Sequence, residues 1–441
     1  MAAHSIVGGG YRRYEISALC AVGTILCYAD RTNIGVAIPS FQPDHAVQGH
    51  ILSAFYYGYI ATQILGAHVA AWYGPKIVLL VGVITWTFFD VLTVPFAENS
   101  TLLWIARVGM GLGEGIIFPC MHSIALAWYP LSERSRLTAN VSSGMDLGTV
   151  VAMLLSPWLM TQYGYPAIFI TFGVLSSAWI VLFAFRGSDA PDADKYVSSG
   201  EKALVLSQRG APDDDDSTMH FYAPPVLAIY VTHFAYNYGW YVLLRWSPQY
   251  LRLQLHLEVA TSGVAAALPY FCGYVGVLVW GFLSDDLIGR GVRVVTVRKL
   301  MNGLGLIGSG VSLYMLRFVS SSVSAVALLS VTLFLSRGAT AGYWINMLDV
   351  APRHAGHLMA VSNTVGTIPG IFGNILTGQI LAATGNWDLV FLIASAIMIC
   401  GGVVFQVWAS DVSQEESASP RKGDGRGGRR IDDRTALLAT L

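Results

Sequence analysis

The chain has 441 residues, of which 54% are hydrophobic and only 12% are charged, with a formal net charge of −1. A soluble globular protein carries about 25% charged residues, so this composition excludes a water-soluble fold. Apolar runs of about 20 residues, each long enough to cross a bilayer as a helix, recur along the whole sequence. We therefore expect a multi-pass integral membrane protein that is embedded in the lipid bilayer. We expect no nucleic-acid partner.

Twelve apolar spans follow one another, with a long polar stretch after the sixth. The segments "ERSRLTANVSSGMDLGT" and "PRHAGHLMAVSNTVGT" open equivalent spans in the two halves, which indicates two pseudo-symmetric bundles around a central cavity. The predicted fold is therefore an all-α membrane protein of twelve transmembrane helices in two six-helix bundles. The spans are predicted at residues 15–38, 51–73, 77–96, 102–128, 137–160, 166–186, 225–250, 258–284, 298–317, 323–348, 357–383 and 388–409. The predicted domains are an N-terminus at 1–14, an N-terminal bundle at 15–186, a linker at 187–222, a C-terminal bundle at 223–410 and a disordered tail at 411–441.

The basic residues predict how the chain is oriented in the membrane. If the N-terminus is cytoplasmic, twenty of the 26 Lys and Arg residues fall in cytoplasmic segments. Only Arg252 and Arg317 then fall in loops on the opposite side. Because Lys and Arg accumulate on the cytoplasmic side of membranes, we expect both termini and the linker to be cytoplasmic.

The fourth span, "LLWIARVGMGLGEGIIFPCMHSIALAW", carries three ionisable residues in apolar surroundings. Arg107 and Glu114 are seven residues apart, so they share a helix face to within about 20°. Charges inside spans usually mark substrate or ion pathways. We expect Glu114 to bind and release a proton, Arg107 to tune the pKa of Glu114, and His122 to relay protons. The alternatives are a structural Arg107–Glu114 pair and a packing role for His122.

The first span contains "CYADRTNIGVAIP", which places Asp30 and Arg31 side by side. On a helix Arg31 lies about 12 Å from the non-cytoplasmic end, and Arg107 and Glu114 lie about 8 and 18 Å from the same side. The three side chains can therefore meet at one level of a cavity. A guanidinium suits a carboxylate or a phosphate, so Arg31 is the predicted anion-binding residue. Asp30 points about 100° away and is predicted to act in helix packing or gating.

Arg337 lies in the middle of the tenth span, nine residues before Asn346. Both residues are predicted substrate contacts, and Arg337 is predicted to meet the second charge of a doubly charged anion. The alternative for Arg337 is pairing with Asp90, Asp146 or backbone carbonyls.

Other polar residues are predicted to lie near the cavity or in the loops. Tyr57 and Tyr236 are predicted to line the cavity, and Arg245, near the outer end of the seventh span, is predicted to extend its charge to the membrane surface. The loop "GFLSDDLIGRG" brings Asp285 near Arg290. This charge cluster is interpreted as a gating latch between the bundles, with a solvated loop as the alternative.

The segments "DRTNIGVAIP", "RVGMGLGEGIIFPCMHSIALAWYPLSERSRL" and "LDVAPRHAGHLMAVSNTVGTIPG" resemble the anion:cation symporter family of the major facilitator superfamily. That family includes sialin, the vesicular glutamate transporters and plastid phosphate carriers. The resemblance covers residues 12–410 and implies the major facilitator fold and alternating-access transport of organic anions or phosphate. It assigns the family's first-helix arginine to Arg31, and the arginine, glutamate and histidine of its fourth helix to Arg107, Glu114 and His122. In proton-coupled members the glutamate is the protonation site, and Arg337 has no counterpart.

Some positions depart from the family pattern. Leu52 stands where the vesicular glutamate carriers have a histidine, and Tyr236 where they have a second arginine, so the resemblance favours a sialin-like proton symporter. The superfamily's Asp-Arg pair after the second helix is replaced by Ala71 and Trp72, whereas the matching Asp285 is retained.

The C-terminal tail ends in "DDRTALLATL", where Asp433, Leu437 and Leu438 have the D-x-x-x-L-L spacing of an endolysosomal sorting signal. In a cytoplasmic tail such a signal would bind a clathrin adaptor. We therefore expect an endolysosomal, vacuolar or plasma-membrane location.

The leading interpretation is a secondary active transporter that moves a small organic anion by proton-coupled symport and alternating access. The alternative is a sodium- or potential-driven transporter of inorganic phosphate. We expect no enzyme, because the sequence holds no HExxH, GxSxG or His/Cys cluster. We also expect no cofactor and no metal site, with H⁺ as the coupling ion and Na⁺ as the alternative. A non-transporting receptor, which would not need Glu114 to titrate, stays open.

Overall fold

The computed structural model describes residues 11–130, 133–208, 218–352 and 354–416. Apart from one pair of two-residue strands, the regular structure of this part of the chain is helical, which confirms the all-α prediction. The predicted sorting signal of Asp433, Leu437 and Leu438 lies outside the described residues.

Twelve long helical segments occur in the predicted order, six on each side of the linker. The N-terminal bundle consists of α1 (Arg12–Ala37), α2 (His45–Tyr73), α3 (Pro75–Phe96), α4 (Ser100–Trp128), α5 (Arg134–Tyr163) and α6 (Pro166–Arg186). The C-terminal bundle consists of α7 (Pro224–Gln249), α8 (Val259–Gly289), α9 (residues 294–315), α10 (Ser322–Val350), α11 (Ala355–Thr384) and α12 (Trp387–Trp408). Shorter elements are a linker helix (Ser199–Ser207), the strands β1 (Thr218–Met219) and β2 (Glu415–Glu416), and π-helical turns at Tyr250–Gln254, Gly303–Gly308 and Thr340–Trp344.

Eight of these helices are apolar and long enough to cross a membrane by composition alone, within the described residues. The four that fall short are α1, α2, α7 and α9. Helix α1 carries Asp30 and Arg31 in its interior, and α9 carries Arg298 and Lys299 near its start. Polar residues in a spanning helix are tolerated where they face the interior of a bundle.

The predicted internal symmetry is visible in helix lengths. Helices α5 and α11, which begin with the two similar sequence motifs, are each 30 residues long. Each also contains an internal proline, at Pro157 and Pro369. The two bundles are therefore built from equivalent helices in the same order.

The two bundles pack tightly at the end of the molecule opposite the linker, which we call the far side. A Cβ atom added at Gly49 of α2 would lie 2.6 Å from the carbonyl oxygen of Asn374 on α11. A Cβ added at Gly263 of α8 would lie 2.6 Å from the carbonyl oxygen of Met153 on α5. Such approaches are possible only without a side chain, so glycine permits the far side to close.

The opposite end of the molecule, which we call the linker side, is less tightly packed. Gly281 and Gly289 of α8 and Gly356 of α11 would each accept a Cβ atom with nothing within 4 Å. These three positions lack the close approach between bundles that Gly49 and Gly263 show on the far side.

The linker helix is fixed to the N-terminal bundle by Glu201. Its buried carboxylate accepts hydrogen bonds from the backbone amides of Arg12, at 3.2 Å, and Arg13, at 3.0 Å. The first amides of an α-helix have no partner within the helix. Glu201 therefore caps α1 from another segment of the chain.

Asp194 provides a second attachment of the linker. It accepts a hydrogen bond from the Arg12 guanidinium at 2.7 Å and others from the amides of Tyr196 and Val197. Burial alone would raise the pKa of Asp194, but these hydrogen bonds outweigh it and lower the pKa below its ordinary value. Asp194 is therefore ionised at neutral pH and holds the linker to α1.

The end of the linker belongs instead to the C-terminal bundle. Strand β1 pairs antiparallel with β2, with Thr218 opposite Glu416. The β2 segment is itself bound to the bundle, because the Gln414 amide donates to the carbonyl of Val350 at the end of α10, at 2.7 Å. The linker is thus attached to both bundles, through Glu201 and Asp194 to the N-terminal bundle and through β1 to the C-terminal bundle.

Candidate functional site

Arg31 and Glu114 form a buried ion pair in the N-terminal bundle. The Nε and Nη2 atoms of Arg31 donate to Oε2 of Glu114 at 2.9 and 2.7 Å. The side chain of Arg31 is 2% exposed and that of Glu114 is 0% exposed. The Cys27 thiol contacts the same oxygen at 3.2 Å, while Oε1 is buried with no hydrogen-bond partner. Oε2 therefore receives every hydrogen bond that the Glu114 carboxylate accepts in the described part of the chain.

Aromatic rings surround the Arg31 guanidinium. Its Cζ atom lies 4.6 Å from the ring centroid of Tyr28, 4.8 Å from that of Phe55 and 4.9 Å from that of Tyr59. Ring faces attract a cation, and they do so more strongly where water is excluded. The three rings therefore hold the guanidinium in place without neutralising its charge.

Helix α4 is interrupted directly after Glu114. Its helical hydrogen bonding breaks into the segments Ser100–Glu114 and Ile117–Trp128. Just before the break, a Cβ atom at Gly111 would lie 2.0 Å from the carbonyl oxygen of Phe55. The glycines of α4 therefore bring α2 against it and set the depth of Glu114 in the bundle.

Arg107 pairs with Asp90 and not with Glu114. Its Nη2 atom lies 3.2 Å from Oδ1 of Asp90 on α3 and also donates to Thr93. Asn33 of α1 donates to the other oxygen of Asp90 at 3.3 Å. The alternative of a structural Arg107–Glu114 pair is wrong, because the Asp90 carboxylate, considered from the sequence only as a partner of Arg337, occupies Arg107. The tuning role of Arg107 stays a prediction.

A third ion pair joins the two bundles. Arg337 of α10 binds Asp146 of α5, and both side chains are buried. Arg337 also donates to the hydroxyl of Tyr236 at 2.8 Å, and its Cζ atom lies 4.0 Å from the Trp240 ring centroid. The guanidinium is therefore paired with Asp146, one of the alternatives that the sequence left open.

Asp30 faces the interior of the N-terminal bundle. It is 1% exposed and accepts hydrogen bonds from Trp86 of α3, at 3.0 Å, and Ser176 of α6, at 3.1 Å. All three residues belong to the same bundle. Asp30 thus packs helices together, and the gating role predicted for it has no contact between the bundles to act through.

Two predicted substrate contacts lie away from the ion pairs. Tyr57 is 44% exposed, and its ring lies 5.9 Å from that of Trp104, which is also exposed, so it faces the outer surface. Asn346 is buried and donates to Asp349 and to the carbonyl oxygen of Ser410, at the linker-side end of the C-terminal bundle. The structure therefore contradicts both assignments: Tyr57 lies on the opposite face of α2, and Asn346 is beyond the π-helical turn of α10.

The remaining predicted residues lie nearer the linker side. His122 is exposed, two turns beyond Glu114, and forms no hydrogen bond with it. Asp285 is exposed and forms no ion pair within the described part of the chain. Arg290 pairs with Asp286, one turn before it on α8, at 2.8 Å. The predicted Asp285–Arg290 latch is therefore wrong in its partners, since the observed pair lies within one helix.

Arg245 is the buried residue whose environment the sequence misjudged. It is 1% exposed, and its Nη1 donates to the backbone carbonyl oxygen of Arg31. A position near a helix end suggested a side chain that reaches the membrane surface. The signal that was available is the neighbouring sequence "YVLLRWSPQY", in which the apolar residues Leu244 and Trp246 directly flank Arg245.

These features define a class of protein. Two six-helix bundles meet around buried ion pairs near the middle of the molecule and close the space between them on one side. Charged side chains that are buried between helices near the middle of the molecule are typical of a membrane transporter and not of an enzyme.

Comparison with known proteins identifies the family. The profile of the Major Facilitator Superfamily matches residues 20–374. "Probable anion transporter 4, chloroplastic" of Oryza sativa subsp. japonica is 36% identical over 90% of this chain and 69% of its own length. "Sodium-dependent phosphate transport protein 1, chloroplastic" of Arabidopsis thaliana is 34% identical over 90% of this chain and 79% of its own. Human sialin is 30% identical over 93% of this chain and 92% of its own length.

Solved structures agree at the level of the fold. A bacterial homolog of the human lysosomal transporter Spinster superposes with a TM-score of 0.74 at 16% identity, covering 91% of this chain and 97% of the other. The chain therefore belongs to the Major Facilitator Superfamily and, within it, to the family that contains sialin and the plant anion transporters. This confirms the resemblance noted from the sequence.

Proposed function

We propose that the protein is a secondary active transporter of organic anions that couples anion movement to protons by alternating access. The observation that carries this proposal is the buried Arg31–Glu114 ion pair at 2.7 Å. Relatives at 30 to 36% identity that are named as anion transporters and as sialin support the substrate class.

The ion pair supplies a coupling mechanism. While Glu114 is ionised, its carboxylate occupies Arg31 and competes with any anionic substrate. A proton on Glu114 removes the negative charge and leaves a buried guanidinium without a counter-charge, which is strongly unfavourable. A substrate carboxylate then restores neutrality with a charge-assisted hydrogen bond to Arg31. Proton and anion therefore bind together or not at all.

The packing of the two bundles provides the basis for alternating access to the two sides of the membrane. The close contacts of Gly49 and Gly263 block the far side in the present conformation. Opening that side requires these contacts and the Arg337–Asp146 pair between the bundles to separate. We propose that protonated, anion-loaded protein makes this change more readily than the protein with Arg31 paired to Glu114.

The test is transport by purified protein in liposomes. Labelled anion uptake is measured under an imposed pH gradient, a sodium gradient or a membrane potential. We expect uptake to follow the proton gradient and Glu114→Gln to abolish that dependence, with Glu98→Gln as the matched control at an exposed acid. Uptake that ignores pH in the wild type would overturn the proposal.

A second candidate is a sodium- or potential-driven transporter of inorganic phosphate. It is favoured by the 34% identity to a plant sodium-dependent phosphate transport protein. Arg31 suits a phosphate as well as a carboxylate. Phosphate uptake that requires sodium and is indifferent to pH would select this function.

We further propose that both termini are cytoplasmic and that the tail residues Asp433, Leu437 and Leu438 direct the protein to endolysosomal membranes by binding a clathrin adaptor. The plasma membrane is the expected location without that signal. Fluorescence microscopy of the tagged chain tests this, and an unchanged location after replacing both leucines with alanine would contradict it.

A further inference from the structure

Arg245 of the C-terminal bundle reaches the anion-binding centre of the N-terminal bundle. Its Nη1 donates to the backbone carbonyl oxygen of Arg31. The two helices touch at this level, because a Cβ atom at Gly35 of α1 would lie 2.9 Å from the carbonyl oxygen of Arg245. Arg245 is therefore held at the point where the bundles meet.

The buried arginines differ in their counter-charges. Arg31 pairs with Glu114, Arg107 with Asp90 and Arg337 with Asp146. Arg245, which is 1% exposed, forms no ion pair with any carboxylate in the described ranges. Its Nε atom is buried and has no hydrogen-bond partner. An isolated buried charge is strongly unfavourable unless a counter-ion binds to it.

The two guanidinium groups share one aromatic ring. The Cζ atoms of Arg31 and Arg245 lie 4.8 and 5.6 Å from the ring centroid of Phe55. Protonation of Glu114 would therefore leave two positive charges close together, one from each bundle. A singly charged anion neutralises only one of them.

We propose that Arg245 is the second cationic contact of the transported anion and that it selects small anions with two negative charges. This inference rests on the proposed function of Arg31 as the first contact. It transfers to Arg245 the role that the sequence suggested for Arg337, which is already paired. An anion bound by both arginines bridges the two bundles, so its binding acts directly on their relative movement.

The experiment compares two probes of nearly equal size and different charge, succinate and its monomethyl ester, with inorganic phosphate as a second doubly charged probe. Binding to the purified full chain is measured at pH 7.5 as the rise in melting temperature, which needs no ion gradient. Uptake is measured in liposomes. We expect Arg245→Gln to raise the KM for succinate by about tenfold or more and to change that for the monoester by less than about twofold.

Controls separate this role from a structural one. Arg252→Gln removes a half-buried positive charge two turns further along the same segment and should change neither probe. Arg245→Lys retains the charge without the planar fork and should keep the preference for the doubly charged probe. Equal losses for both probes, or a wild-type protein that neither succinate nor phosphate stabilises more than the monoester, would overturn the proposal.

The outcomes also distinguish this inference from the proposed function. If Glu114→Gln keeps pH-driven uptake while Arg245→Gln still loses its binding preference for succinate, proton coupling fails and the second contact stands. If Glu114→Gln loses pH dependence and Arg245→Gln keeps the wild-type binding preference for succinate over the monoester, the reverse holds.

Discussion

Glu114 accepts both hydrogen bonds of the Arg31 guanidinium on a single oxygen, Oε2, at 2.9 and 2.7 Å. Its second oxygen is buried without a partner. A proton arriving at Oε1 would not have to displace a hydrogen bond. The arrangement thus lets the carboxylate change charge without first moving Arg31.

Glu114→Gln should remove the dependence of uptake on pH. The amide resembles the protonated acid in shape and cannot release a proton, so the variant remains able to bind anion. We expect exchange of anion across the liposome membrane to survive while accumulation against a gradient is lost. Accumulation comparable to that of the wild type would contradict this.

Arg31→Lys should reduce transport nearly as much as Arg31→Ala. Lysine keeps the charge but lacks the planar fork that both hydrogen bonds to Oε2 use. We expect a loss of about 100-fold in kcat/KM, since two charge-assisted hydrogen bonds are affected. Arg317→Ala, at an exposed arginine, is the control. Near-normal kcat/KM in the lysine variant would show that charge alone suffices.

Arg337 and Asp146 should show strong coupling in a double-mutant cycle. Removing one partner leaves a buried charge alone, which destabilises a protein by about 3–5 kcal/mol. We expect Arg337→Gln and Asp146→Asn each to lower the melting temperature, and the double variant to recover part of the loss. Additive effects on stability would show that the two charges do not interact.

Gly49→Leu should favour the conformation that is open on the far side. The Cβ atom alone would lie 2.6 Å from the carbonyl oxygen of Asn374. Overpacking of this kind is unfavourable by about 1–3 kcal/mol, and the bundles can relieve it by separating. Spin labels at Asp44 and Thr384 should report a longer distance, whereas Gly281→Ala, which meets nothing within 4 Å, should not change it. An unchanged distance in the Gly49 variant would argue against far-side closure through this contact.

Asp194→Asn should loosen the linker from α1 at neutral pH. The folded-state pKa of Asp194 is lowered, so its ionised form stabilises the fold above the unfolded pKa of about 3.9 and this contribution is lost as the pH falls through the folded value. Trypsin should cleave the linker at Lys195 and Lys202 faster in the variant at pH 7.5. Asp192→Asn, whose Lys202 contact is more exposed, is the control. Equal cleavage rates would exclude this attachment.

The sequence was sufficient for the fold because its signals are long-ranged and repeated. Twelve apolar spans and the similar motifs that open α5 and α11 follow from helix length and internal symmetry. The individual charges Arg31, Arg107 and Glu114 were also visible, since a charge in an apolar span is rare.

The pairing of these charges could be predicted only in part: the sequence placed Arg31 and Glu114 at one level, where they do pair, but not the partner of Arg107. Arg107 and Glu114 share a helix face, yet Arg107 turns to Asp90 because α3 packs against that face. Spacing along one helix says nothing about which neighbour approaches it. The same lack of tertiary information placed Tyr57 in the cavity and Arg245 at the membrane surface.

The attachments of the linker limit the movement of the two bundles. Its first part is tied to α1 through Glu201, and its last part to α10 through the β1–β2 pair. Between Gln208 and Thr218 the chain has ten residue steps, which reach at most about 35 Å when fully extended. However widely the halves swing apart on the linker side, Gln208 and Thr218 travel no further from each other than that covalent length. Shortening this stretch would thus restrict the swing directly, with every membrane-embedded residue left intact.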